Sequence, residues 1–292
     1  MTPKKREKEY YATILAVTGF KQAKLHLLGN LSPKVSDPDS ITSFVCDLDF
    51  GADGFTADPI HDMESWVVGM DETPKGTIVA VSMDGELFSF RGGTWTVQDL
   101  GCPDGIMAIW AAAEGEYFAA GAGGERVRIS GRTVDLNPER EKRSLNNVHG
   151  TSAKDVVMVG DDGAIFRFDG KTWRELEAPT NQNLLGLYCR SAEEVYISGP
   201  KGTLFRSDGD DWEEIEAPDV TFYAVAWFRD ALYLAAGKDG IFVLGKEGPE
   251  PFKKLPAPIH GLSSIAGSLI AFGGEFLVRY DGKEWTGGVC DF

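Results

Sequence analysis

The sequence offers little that would indicate export, disulfide bonding or membrane insertion. It holds four cysteines in 292 residues, none in a CxxC pair, so neither a disulfide framework nor a zinc site is favoured. The apolar run at 13–17 is shorter than the hydrophobic region of a signal peptide. No segment approaches the ~18 apolar residues that a membrane-spanning helix needs. We therefore expect a soluble, cytoplasmic chain with reduced cysteines.

Positive charge is also scarce. The 29 Lys and Arg residues are outnumbered by 45 Asp and Glu, and the formal net charge is −16. Nucleic acid and anionic membranes are bound through basic patches that release counterions. The composition therefore disfavours nucleic-acid and membrane partners, and it favours a protein partner that carries basic charge.

The motifs that identify common enzyme classes are missing. The sequence contains no Gly-x-Ser-x-Gly elbow, P-loop or His-Glu-x-x-His. The acidic run at 208–216 is interpreted as a solvated hairpin edge and not as a calcium site. Several arginines recur at one position of successive repeats, predicted to face solvent, namely Arg128, Arg167, Arg206 and Arg279. We expect no catalytic residue, no cofactor and no metal site.

What the sequence does contain is an internal repeat. The segment GAIFRFDGKTW, which ends at Trp173, recurs as GTLFRSDGDDW ending at Trp212 and as GELFSFRGGTW ending at Trp95. Val134 ends a further copy, so the repeat positions 95, 134, 173 and 212 are each 39 residues apart. Altered copies follow at 240–252 and 275–285. A fixed period of this length indicates a repeat architecture.

Each repeat predicts four short strands. In the clearest unit they cover 145–149, 155–159, 164–168 and 172–177. The third and fourth strands are joined by Asp169-Gly170, a dipeptide that suits a tight hairpin. Four antiparallel strands in each unit predict an all-β fold, a β-propeller with four-stranded blades.

The number of blades depends on the N-terminal residues, which precede the first clear repeat near Ser65. Three strand-like segments, at 11–17, 23–28 and 41–48, are enough for an irregular blade. We predict seven blades in a single domain over 1–292, with the irregular blade at about 10–60 and the regular repeats at about 65–292. Six blades with an N-terminal extension is the alternative.

The hairpin turns carry a resemblance to a known family. The Asp-Gly turns followed by Trp resemble the Asp-box of sialidase-like and photosystem-assembly propellers, although Asp and Gly are adjacent here, as in Asp208-Gly209 and Asp281-Gly282. The resemblance implies the propeller fold. It implies no activity, because one fold hosts many functions.

Two further registers recur every 39 residues. The tryptophans of the hairpins, Trp95, Trp173, Trp212 and Trp285, are interpreted as packing residues between neighbouring blades. A second set ends the first strand of successive blades, where side chains approach the central channel, and consists of Trp110, His149, Tyr188 and Trp227. This set is our candidate binding site, with inter-blade packing as the alternative. Aligning the last repeat places Ser263, and not His260, in the same register.

These observations favour a non-enzymatic protein-binding propeller. Acidic bacterial propellers of this kind resemble immunity proteins that neutralise a toxin, or assembly chaperones. The alternative is a glycan-binding or glycan-hydrolysing sialidase-like propeller, which the Asp-box-like turns and the aromatic register would support.

Overall fold

The computed structural model describes residues 10–21, 24–33, 41–51, 54–137, 142–209 and 211–290. Over these ranges the chain forms 28 β-strands, and its only helical segments are two single 3-10 turns, Ala122–Gly124 and Asp161–Gly163. Among the same residues no helix has the length and hydropathy needed to cross a bilayer. The all-β prediction is confirmed.

The strands form seven antiparallel sheets of four consecutive strands each. The first blade contains β1 (Tyr10–Lys21), β2 (Lys24–Pro33), β3 (Thr42–Phe50) and β4 (Phe55–Met63). The second contains β5 (Val67–Glu72), β6 (Ile78–Ser82), β7 (Glu86–Arg91) and β8 (Thr94–Asp99). The third contains β9 (Ile106–Ala113), β10 (Glu116–Gly121), β11 (Arg126–Ser130) and β12 (Thr133–Leu136).

The remaining blades follow the same plan. The fourth contains β13 (Leu145–Ser152), β14 (Asp155–Gly160), β15 (Ile165–Phe168) and β16 (Trp173–Glu175). The fifth contains β17 (Gly186–Ser191), β18 (Glu194–Ser198), β19 (Leu204–Ser207) and β20 (Trp212–Glu214). The sixth contains β21 (Ala224–Phe228), β22 (Ala231–Ala235), β23 (Ile241–Leu244) and β24 (Pro249–Lys253), and the seventh contains β25 (Gly261–Ile265), β26 (Ser268–Gly273), β27 (Phe276–Tyr280) and β28 (Trp285–Val289).

The Asp-Gly turns form by the local chemistry that the sequence predicted. The Asp169 carboxylate accepts hydrogen bonds from the backbone N–H groups of Lys171 (2.8 Å) and Thr172 (2.9 Å). Gly170 has a φ of 94°, which a side chain would disfavour. The backbone donors also lower the pKa of Asp169, because they stabilise its charged form. The carboxylate therefore stabilises the turn of its own hairpin.

The ring closes without exchanging a strand between its ends. The inner strands β1, β5, β9, β13, β17, β21 and β25 contact one another in turn, and β25 contacts β1. Ile14 and Phe44 of the first blade share a buried cluster with Ile270 and Phe272 of the seventh. The Ile14 N–H also donates to the Gly274 carbonyl oxygen at 2.8 Å. Seven blades are confirmed and six is wrong, because the N-terminal residues form the first blade.

The hairpin tryptophans pack between neighbouring blades, as predicted. The Trp173 ring centroid lies 5.2 Å from that of Phe168 in its own hairpin and 6.3 Å from that of Phe118 in the preceding blade. Trp285 repeats this arrangement, 4.8 Å from Tyr280 and 6.2 Å from Phe252. Each ring therefore fills part of the wedge between two sheets.

The arginines that recur at one repeat position do not all face solvent. Arg167 was expected to face solvent, and that expectation is wrong: its side chain is only 11% exposed. Its Nε donates to Asp155 at 2.7 Å, and a terminal nitrogen donates to the Ala192 carbonyl of the next blade at 2.8 Å. The neighbouring blade covers a position that strand alternation alone would leave in water.

The strand order gives the disc two distinct faces. One, the hairpin face, carries the turns that join first to second and third to fourth strands, such as 153–154 and 169–172. The other, the connector face, carries the turns between second and third strands and the links between blades, such as 161–164 and 176–185. The aromatic register lies between the two faces, on the inner strands.

Candidate functional site

The four predicted residues come together at the axis of the ring. Trp110, His149, Tyr188 and Trp227 lie on β9, β13, β17 and β21 and line one central cavity of about 420 Å³. Ser263 on β25 lines it too, whereas His260 lies in a separate groove, as the repeat alignment predicted. The 39-residue spacing therefore places all four side chains in one space.

Three of the four rings form a continuous stack. The Trp110 and His149 ring centroids are 5.5 Å apart with planes inclined by 40°, and His149 and Tyr188 are 5.0 Å apart at 29°. Each ring therefore covers part of its neighbour's face, and this covering joins three consecutive blades. The arrangement contributes to inter-blade packing and leaves less ring face available to a ligand.

Trp227 is placed differently. Its ring lies under the Arg190 guanidinium, whose central carbon is 3.9 Å from the ring centroid. Its indole N–H donates to the Arg229 carbonyl oxygen at 2.7 Å. Within the described part of the chain, no ring contact joins Trp227 to Tyr188. A cation of the protein itself therefore already occupies one face of this ring.

His149 is held as a neutral acceptor. Its Nδ1 accepts a hydrogen bond from the Cys189 backbone N–H at 3.1 Å, while the Cys189 thiol donates to the His149 carbonyl oxygen at 3.5 Å. Burial lowers the pKa of His149 to about 4, because a charged ring would lose its hydration. At neutral pH the ring proton therefore lies on Nε2, and the imidazole joins the fourth blade to the fifth.

Asp71 is the member of the register that the sequence reading missed. It lies 39 residues before Trp110, on β5, and lines the same cavity. One carboxylate oxygen accepts from the Ala111 N–H of the next blade at 2.8 Å, and the other accepts from the Glu72 N–H at 2.8 Å. The Thr18 hydroxyl adds a longer hydrogen bond of 3.4 Å. Counting back one repeat from Trp110 would have found this residue.

Asp71 supplies the charge of the cavity. It is the only acidic or basic side chain, other than histidine, among the described residues that line this cavity. Burial raises the pKa of Asp71 to about 6, against the lowering effect of its hydrogen bonds. Glycoside hydrolysis generally uses two facing carboxylates, and the described lining supplies one.

A second polar cluster lies between the first two blades. His26 Nδ1 is 2.9 Å from a Glu72 carboxylate oxygen, and its Nε2 is 3.3 Å from an Asp47 oxygen. Lys24 lies 3.4 Å from the same Asp47. The cluster ties β2 and β3 to β5, and sequence reasoning missed it because the first blade does not follow the repeat. Over the described ranges, no group of three or more His, Cys, Asp or Glu residues is arranged to hold a metal.

Comparison with known proteins gives one curated relative. No family model matches the chain. The "Immune protein Tsi7" of Pseudomonas aeruginosa is 26% identical in an alignment that covers 90% of this chain and 92% of that protein. The similarity thus spans nearly all of both chains.

Solved structures confirm the fold. The WD40 propeller domain of Doa1 matches with a TM-score of 0.75 at 11% identity, covering 93% of each chain. Virginiamycin B lyase from Staphylococcus aureus matches with a TM-score of 0.69 at 14% identity, covering 89% of this chain and 91% of that one. YCF48 bound to D1 peptide matches with a TM-score of 0.67 at 15% identity, covering 95% of this chain and 96% of that one. At these identities the similarity establishes a propeller and nothing about activity.

Proposed function

We propose that this chain is an immunity protein, a non-enzymatic propeller that binds a toxic protein and neutralises it. The observation that carries the proposal is the similarity to an immune protein over nine tenths of both chains. Because the match spans the whole ring, it is not the product of one shared blade or turn. It favours the immunity function over the assembly-chaperone alternative.

Physical chemistry supports a protein partner with basic charge. A net charge of −16 attracts a basic protein over long range and raises its association rate. The blades hold their loops in fixed positions, so little conformational entropy is lost on docking. The same acidic balance disfavours nucleic acid and anionic membranes as partners, and we propose a cytoplasmic location for the chain.

The glycan alternative has weaker support. The Asp-box-like aspartates bind their own backbone, as Asp169 does, and the aromatic rings of the channel cover one another. Asp71 has no second carboxylate beside it in the described lining. Since one structural neighbour is named as a lyase, the fold alone does not decide between binding and catalysis.

Co-expression tests the proposal. The protein encoded beside this chain would be produced in a susceptible bacterium from a tightly controlled promoter, with and without this propeller. We expect growth to stop without the propeller and to resume with it, through a complex that elutes as one species in gel filtration. A matched propeller with a Phe118→Asp substitution in its core is the negative control. A toxic neighbour that neither forms a complex nor is neutralised would contradict the proposal, as would turnover of fluorogenic glycosides that an Asp71→Asn change abolishes.

A further inference from the structure

The exposed aromatic side chains are distributed unequally between the two faces. Among the described residues, the aromatic side chains that are largely exposed are Tyr10 (49%), Tyr11 (62%), Trp66 (45%) and Tyr223 (37%). The other large apolar side chains that are exposed, Val97, Leu136 and Val289, lie on outer strands at the rim of the disc.

All four aromatic residues belong to the connector face. Trp66 lies in the link between the first and second blades, and Tyr223 lies in the link between the fifth and sixth. Trp and Tyr are the residue types that most often dominate the energetics of protein interfaces. An exposed set confined to one face therefore indicates which face contacts a partner.

The two tyrosines of the first blade lie on a raised ribbon, formed by 10–13 paired with 30–33. β5 begins four residues before Asp71, whereas β1 begins eight residues before Thr18, the residue that contacts Asp71. One of the additional residues is taken up by a β-bulge, and Asn30, which pairs with Thr13, donates to the Val67 carbonyl oxygen at the start of β5 (3.2 Å). The remaining three residues at ~3.3 Å each raise the end of the ribbon by about 10 Å above the neighbouring blade. The ribbon gives the connector face a wall against which a partner can be oriented.

Unpaired negative charge lies on the same face. Several exposed carboxylates there have no ion-pair partner among the residues that the structure describes, namely Glu64, Asp84, Asp162, Glu177, Glu216 and Asp219. Glu64 is two residues from Trp66, and Asp219 is four residues from Tyr223. Charge and aromatic surface therefore occur together.

Some carboxylates near the hairpin face are engaged within the protein. Glu114 pairs with Arg91 at 3.2 Å, and Glu194 pairs with Arg190 at 2.9 Å. Asp281, like Asp169, accepts hydrogen bonds from the backbone of its own turn. Other carboxylates of the hairpin face, such as Glu193, Asp230 and Glu284, are exposed as well. Negative charge therefore occurs on both faces, and the exposed aromatic side chains are what distinguish the connector face.

The connector face also contains a groove that can accept a side chain. The groove has a volume of about 500 Å³, and its lining includes Pro200, Val220, Tyr223 and Pro258. The Tyr223 ring meets His260 edge to face at 4.7 Å, which fixes one wall. Lys201 and Lys238 line the groove together with two aspartates, so its charge is balanced and its apolar wall suits an apolar or aromatic side chain of the partner.

We propose that a basic protein docks on the connector face, with Trp66 and Tyr223 as its anchors and the exposed carboxylates as its charge complement. The inference rests on the proposed function and specifies the surface that performs it. The aromatic stack inside the channel then holds the blades together and makes no essential contact with the partner.

Calorimetry measures the affinity of the purified chain for the purified protein that the adjacent gene encodes. Trp66→Ser, Tyr223→Ser and the double reversal Glu64→Lys/Asp219→Lys are compared with Glu193→Lys/Glu284→Lys, a matched reversal of exposed carboxylates on the hairpin face. Each connector-face variant is expected to raise Kd by about tenfold or more. The hairpin-face variant and Trp227→Ala should change Kd by less than about threefold.

Thermal unfolding of every variant serves as the control for folding. If the hairpin-face reversal or Trp227→Ala weakens binding while the connector-face variants bind normally, the docking face is wrong although the immunity function stands. If the wild-type chain does not bind its neighbour at all, the proposed function fails and the docking surface fails with it. These two failures are distinguished by the wild-type measurement alone.

Discussion

Comparing the wild-type protein with His149→Asn measures how the buried imidazole of the channel contributes to the free energy of unfolding at different pH values. Burial lowers the pKa of His149 from 6.5 to about 4. An unfolded chain therefore takes up a proton on this ring between those two pH values, and the folded chain does not. The stability contributed by the neutral ring is complete above pH 6.5 and is lost as the pH falls toward 4.

The size of this pH-dependent contribution to stability follows from the difference between the folded and unfolded pKa of His149. At 1.36 kcal/mol per pH unit, the difference between the folded and unfolded ring amounts to at most about 3 kcal/mol. Partial exposure of the ring to the channel makes this an upper limit. In His149→Asn, the amide oxygen can still accept the Cys189 N–H but does not titrate, so the pH-dependent part is removed while the acceptor is kept.

The assay is urea unfolding of both proteins at pH 7, 6, 5 and 4. The loss of the stack on Trp110 and Tyr188 destabilises the variant at every pH. Asp71, whose raised pKa acts in the opposite direction, is present in both proteins and cancels in the difference. We expect the wild-type advantage to shrink by about 2–3 kcal/mol between pH 7 and pH 4. A difference that stays constant to within about 0.5 kcal/mol would show that the ring is protonated normally in the folded state.

Three further predictions address the register, the blade packing and the partner. Asp71 should titrate with a midpoint near 6 in carboxylate NMR, so that its contribution to stability is present below about pH 4 and is lost as the pH rises through 6; a midpoint near 4 would show that it is solvated. Trp173→Ala should lower the free energy of unfolding by about 2–4 kcal/mol, since the half-buried ring contacts Phe168 and Phe118, and a loss below about 1 kcal/mol in chemical denaturation would mean that these contacts contribute little. Raising the salt concentration should slow association with the partner more than it speeds dissociation, because the Debye length is only ~10 Å at 0.1 M; equal effects on both rates in stopped-flow would contradict electrostatic steering.

The repeat made most of the fold predictable. Trp95, Trp173 and Trp212 recur at multiples of 39 residues, so one blade predicted correctly gives the others, and Asp169-Gly170 specifies the hairpin within it. The same interval brought Trp110 and His149 into one channel. The first blade was predicted only from three strand-like segments before the first repeat, since its strands are longer and lack the repeat.

The contacts between blades were not predictable in the same way. A fixed spacing shows that side chains share a level of the channel, but it does not show that His149 stacks on Tyr188 while Trp227 lies under Arg190. The burial of Arg167 depends on the adjacent sheet. Asp71 was missed because the search followed aromatic residues, although its position in the repeat was available.

The direct test of the central claim is whether this chain binds and neutralises the protein encoded beside it. In a titration of the two purified proteins, with growth rescue measured in parallel, we predict a saturable complex that forms with the wild-type propeller and weakens by about tenfold with Trp66→Ser. Growth rescue should fall in step with affinity. A neighbouring protein that remains toxic and unbound in the presence of excess folded propeller would contradict the account.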